Sequence, residues 1–64
     1  METAYVYNVK TKKAVMVVKG EDWQIDSYLD ELPDKYADLD KFSVTYYPEH
    51  LKGIQKNAVR VVLG

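Results

Sequence analysis

The sequence predicts an α+β fold of order ββαββ, a four-stranded, mainly antiparallel sheet with one helix packed on one face. Three observations predict it. Two runs of β-branched and aromatic residues flank a lysine-rich turn near the start of the chain. A single apolar stripe at helical spacing follows a glycine. Two more strand-like runs close the chain.

The first run is residues 3–9, Thr-Ala-Tyr-Val-Tyr-Asn-Val, and the second is residues 14–19, Ala-Val-Met-Val-Val-Lys. Lys10, Thr11, Lys12 and Lys13 lie between them. A hairpin with Val9 opposite Lys13 pairs Tyr7 with Val15 and Tyr5 with Val17 on one face. It pairs Val6 with Met16 and Ala4 with Val18 on the other. A turn of this length needs a left-handed residue, and Lys12 falls at that position although glycine or asparagine suits it better.

Gly20 ends the second strand. Ile25, Tyr28, Leu29 and Leu32 then recur at i, i+3, i+4 and i+7, one face of a helix. Asp22 is the expected cap, and Glu21 and Asp22 favour the positive end of the helix dipole. Pro33 is expected to stop the helix at about Leu32. Residues 34–40 read as a loop or a short helical turn. In residues 41–47, Phe42, Val44 and Tyr46 alternate onto one face. Pro48 to Gly53 reads as one helical turn, with Pro at the first position and Gly past the end. Residues 57–63 form the last strand, with Val59, Val61 and Leu63 on one face.

One helix covers one face of such a sheet. Val6, Met16, Val18, Phe42, Val44, Val59 and Val61 are its expected partners. The other face then holds Tyr5, Tyr7, Val15, Val17, Tyr47 and Val62. It stays largely apolar where a wet face would alternate with polar residues. A patch of that kind marks an interface. Tyr5, Tyr7, Val15, Val17 and Tyr47 are therefore the expected self-association surface, which implies a homodimer.

With 64 residues, 47% of them hydrophobic, and no cysteine, the chain is expected to form a single domain over 1–64 without a disulfide staple. The longest apolar run, Ala14 to Val18, falls far short of the roughly 20 residues of a membrane span. Residues 1–15 show no leader pattern. A cytoplasmic protein with no membrane association is the expectation.

The net charge of −1 conceals a separation. Residues 21–40 carry eight carboxylates against Lys35 alone, a net −7, while the remainder carries eight cations against Glu2 and Glu49, a net +6. Asp22, Asp26 and Asp30 recur every four residues and stack along one side of the helix. Like charges at that spacing destabilise an isolated helix by about 0.2–0.5 kcal/mol per pair. Aspartate is also a poor interior helix former. A row that works against its own helix points to a partner with a basic surface. Asp22, Trp23, Asp26, Asp30 and Asp34 are the candidate partner-binding residues. Lys10, Lys12 and Lys13, with tyrosines nearby, form the alternative, a nucleic-acid-binding surface.

Catalytic signals are weak. His50 is the only histidine and has no nucleophile placed beside it by sequence. The turn between Pro48 and Gly53 is expected to leave it in solvent. Asp34, Asp38 and Asp40 lack the turn glycine and terminal glutamate of an EF-hand loop. Gly20, Gly53 and Gly64 are isolated, so no phosphate loop is present. The expectation is a non-enzymatic protein with no cofactor and no metal site.

The segment Tyr5-Val6-Tyr7-Asn8, followed by Lys10-Thr11, a valine-rich strand and Gly20-Glu21, resembles the opening hairpin of small phage- and prophage-encoded proteins. Those carry glycine in the turn where Lys12 stands here. The resemblance spans residues 5–21 and implies a mobile-element origin. For a small phage protein with split charge it implies an inhibitor of a host protein such as a defence nuclease, anti-CRISPR proteins included. It assigns no functional residue. The full reading is a small protein–protein interaction module acting through its acidic helix.

Overall fold

The computed structural model describes residues 1–32, 36, 38 and 40–64. The expected Pro33 helix stop, most of the 34–40 segment and Asp34 of the acidic face lie outside them. The described elements are β1 (Glu2–Asn8), β2 (Lys13–Gly20), α1 (Asp22–Asp30), β3 (Phe42–Thr45) and β4 (Gly53–Val62). A short 3-10 turn, Pro48–His50, precedes β4. The architecture is α+β, with one four-stranded sheet of order β3-β1-β2-β4.

The hairpin forms with Tyr5 opposite Val17, Val6 opposite Met16 and Ala4 opposite Val18. Lys12 takes the left-handed backbone, with φ of 62°. Asn8 organises the turn. Its Oδ1 accepts the Lys10 N–H at 2.8 Å, and its carbonyl accepts the Lys12 N–H at 2.7 Å. Tyr7, however, pairs with Ala14 and not with Val15. Val15 is the extra residue of a β-bulge, and it packs against the helix-side core.

The sheet is mixed. β1 is antiparallel to both β2 and β3, but β4 runs parallel to β2. Strands β2, β3 and β4 therefore share one direction. The chain crosses from β2 to β3 through α1, then back from β3 to β4 through residues 46–52. Two crossovers of one hand that run in opposite lateral directions lie on opposite faces of a sheet. That arrangement is found. Ile25 of α1 joins Ala4, Val6, Met16 and Val18 in the buried core of the first face. Thr45, opposite Tyr5, points to the second face, where its Oγ1 lies 3.0 Å from His50 Nδ1. The Lys52 N–H then donates to the Lys12 carbonyl at 2.7 Å and brings the chain into β4.

Several boundaries differ from the sequence reading. Glu21, not Asp22, is the N-cap, because Gln24 Oε1 accepts the Glu21 N–H at 2.9 Å. The Gln24 amide nitrogen also donates to the Leu63 carbonyl at 3.0 Å, which ties the helix start to the end of the chain. The helix ends at Asp30, within the usual scatter of helix ends. β3 is shorter than residues 41–47. β4 starts at Gly53, four residues before the expected strand. Four residues of β4, 55–58, stand opposite Val15 alone, since Ala14 pairs with Ile54 and Met16 with Val59. Val44 and Val59, expected in the core, are 41% and 46% exposed. Both sit on edge strands, beyond the reach of a nine-residue helix.

Candidate partner-binding site

Burial of Ile25, with Tyr28 and Leu29 packed on the same core, sets the rotation of α1. The opposite arc carries Asp22, Trp23, Asp26, Ser27 and Asp30, all exposed. Trp23 and Asp26 are three residues apart, Trp23 and Asp30 seven, so they share a helical face. Trp23 is 68% exposed and does not fold back onto the sheet. Among the described residues, Asp22, Asp26 and Asp30 have no ion-pair partner.

Tyr46 belongs beside this face, which sequence reasoning missed. It follows β3 and extends the alternation of Phe42 and Val44 toward the helix side. Partial burial raises the pKa of its hydroxyl above the ordinary tyrosine value, and the Asp26, Asp22 and Glu2 carboxylates raise it further. Asp22 and Asp26 thus act electrostatically on the residue that follows β3. A raised folded-state pKa means the proton is held more tightly by the folded chain. That contribution is complete below the ordinary tyrosine range and is lost as alkaline pH ionises Tyr46. The alternation of 42, 44 and 46 was legible in the sequence. The proximity to Asp22 and Asp26 depends on the β2-to-β3 crossover and was not.

The five residues expected to form one self-association face do not form one surface. Tyr5 and Tyr7 are half-buried on the second face. Val17 shares that face but is only 4% exposed. Val15 lies with the helix-side core because of the bulge. Tyr47 is 58% exposed in the returning segment, with its ring 5.3 Å from that of His50. His50 is not simply solvated in its turn. It bonds Thr45, whose Oγ1 also accepts the Tyr47 N–H at 3.1 Å.

Lys10, Lys12 and Lys13 are exposed at the hairpin tip, and Lys12 Nζ lies 5.6 Å from the Tyr7 ring centroid, a cation–π contact. The Lys52-to-Lys12 backbone bond adds Lys52 to this cluster. No local spacing in the sequence signals that addition. On the helix side, a groove of about 350 Å³ opens beside the bulges, lined by Val15, Tyr36, Phe42, Gln55, Asn57 and Val59. Among the described residues no group of three or more histidines and carboxylates is placed to hold a metal ion, and no helix is long and apolar enough to cross a membrane. In comparisons with protein-family models, curated proteins and solved structures, nothing matches this chain.

Proposed function

We propose that this chain is a non-enzymatic protein-binding module whose exposed helix face engages a basic partner surface. The observation that carries the reading is Trp23. It is a large aromatic side chain left 68% exposed on the same arc as Asp22, Asp26 and Asp30. Exposed aromatics that become buried on binding supply most of an interface's energy, while surrounding charges set approach rate and partner choice. The hairpin's resemblance to phage proteins directs the choice of partner. A host nuclease, whose substrate cleft must be basic to hold phosphates, is the first class to test.

The test is calorimetric titration of purified basic nucleases with the wild-type chain, with Trp23→Ala, and with Asp26→Lys/Asp30→Lys. Against a nuclease that binds, each variant should lose about tenfold or more in affinity, the scale of one hot-spot residue. Variants that bind as tightly as the wild type overturn the reading, as does a panel in which nothing binds at low salt. Nucleic-acid binding at Lys10, Lys12 and Lys13 is the second reading, and the position of Lys52 beside them favours it. It requires a steep loss of oligonucleotide affinity with salt, which the acidic-helix reading does not.

A further inference from the structure

The large hydrophobic side chains left exposed are not scattered. Apart from the first residue and Trp23, those among the described residues lie along the two edges of the sheet. Val44, Tyr46 and Tyr47 are on or just beyond β3; Ile54, Val59 and Val62 are on β4. Neither outer edge pairs with another strand among the described residues. The ten-residue β4 is long for an unprotected edge and contains no proline.

The two edges carry opposite charge. Lys52, Lys56 and Arg60 lie on or just before β4, and no carboxylate side chain occurs after Glu49. Asp38 and Asp40 are exposed just before β3, where the Asp38 carbonyl accepts the Phe42 N–H at 2.9 Å. Just beyond the strand, partial burial raises the pKa of the Tyr46 hydroxyl, and the Asp26, Asp22 and Glu2 carboxylates help raise it. Among the described residues Lys41 is the cation at the far end of β3, and it neighbours Asp40. The strand directions also match. β3 and β4 run the same way in the sheet, so a copy displaced along the sheet sets its β3 parallel beside β4 of the first.

We propose that this chain associates head to tail with a second copy, the β3 edge and acidic helix of one molecule against the basic β4 edge of the next. A two-fold pairing of β4 with β4 would bring Lys56 and Arg60 of both copies together with no carboxylate to offset them. Like charges juxtaposed in that way are disfavoured. A head-to-tail contact leaves one acidic and one basic edge free, so the assembly is open-ended. The proposal rests partly on the acidic face already described, since a basic partner would compete for it.

The test is sedimentation of the full chain over a range of concentrations at low salt and at about 0.5 M salt, where surface charges are screened beyond a few ångströms. The average mass should climb past that of a dimer at low salt and return to the monomer at high salt. Lys56→Gln/Arg60→Gln and Asp22→Asn/Asp26→Asn should each weaken self-association by about tenfold or more, with the circular dichroism of the folded chain retained. Mixed together, the two variants should form a one-to-one dimer and stop there, because each keeps one working edge. A wild-type chain that stays monomeric at low salt overturns the proposal. So does a dimer that never grows, or variants that assemble as well as the wild type. Lys56→Gln/Arg60→Gln keeps the whole acidic helix, so its binding to a basic nuclease separates failure of this proposal from failure of the partner reading.

Discussion

On one face of the sheet, α1 lowers Ile25 onto Ala4, Val6, Met16 and Val18 in a dry apolar cluster. On the other, residues 46–52 cross as a strap whose regular structure is a single 3-10 turn. The strap is held by Thr45 and His50, and by the Lys52 bond to the hairpin tip. On that face Ala14 and Val17 are buried, while Tyr5 and Tyr7 stay half-exposed. A helix closes a face with a periodic stripe that reads directly from spacing. A strap closes a face with a few hydrogen bonds and leaves no periodic trace. The second face therefore looks bare in the sequence and is partly covered in the fold. This is why the expected tyrosine–valine self-association surface does not assemble as one patch.

Three substitutions measure how unequal the two faces are. The largest effect is expected at Ile25, the largest side chain in the fully buried set. Ile25→Ala should cost about 2–5 kcal/mol in urea melts, a large part of the 5–15 kcal/mol typical of a whole domain. A cost under about 1 kcal/mol would show that the helix-covered face is not the stabilising core. Next is Gly53, at the exit of the strap, with φ of 155° and open space around its Cβ position. Gly53→Ala meets no clash but forces an L-residue into a conformation it rarely adopts, at about 1–2 kcal/mol. An unchanged melting midpoint would mean the strap tolerates another path into β4. The smallest effect is expected from Thr45→Val. It keeps the shape but removes the oxygen that serves both Tyr47 N–H and His50 Nδ1. Because both groups can turn to water, the expected loss is about 1 kcal/mol, with faster hydrogen exchange at the Tyr47 amide. If Thr45→Val costs as much as Ile25→Ala, the strap is no less important than the helix and the contrast fails.

Much of the chain was readable without the fold. The pairing of Ala4, Tyr5 and Val6 with Val18, Val17 and Met16 followed from alternation, and the left-handed Lys12 followed from turn length. The buried stripe of α1 followed from 3.6-residue spacing, and that rotation in turn exposed Trp23 with the aspartates. These are short-range properties, set by backbone geometry within a dozen residues. The register failed at Val15, where one extra residue turned a side chain to the opposite face. Alternation carries no marker for a bulge.

The hairpin, the helix with its exposed arc and the division of charge along the chain follow from local spacing alone. The parallel pairing of β4 with β2, the burial of Val17 and the electrostatic coupling of Tyr46 to Asp26, Asp22 and Glu2 depend on the assembled fold. It also decided that Lys56 and Arg60 stand on an edge strand of the sheet. The difference is one of range. Periodicity is enforced residue by residue by the backbone, whereas the neighbour a strand finds depends on how two crossovers fit around one core.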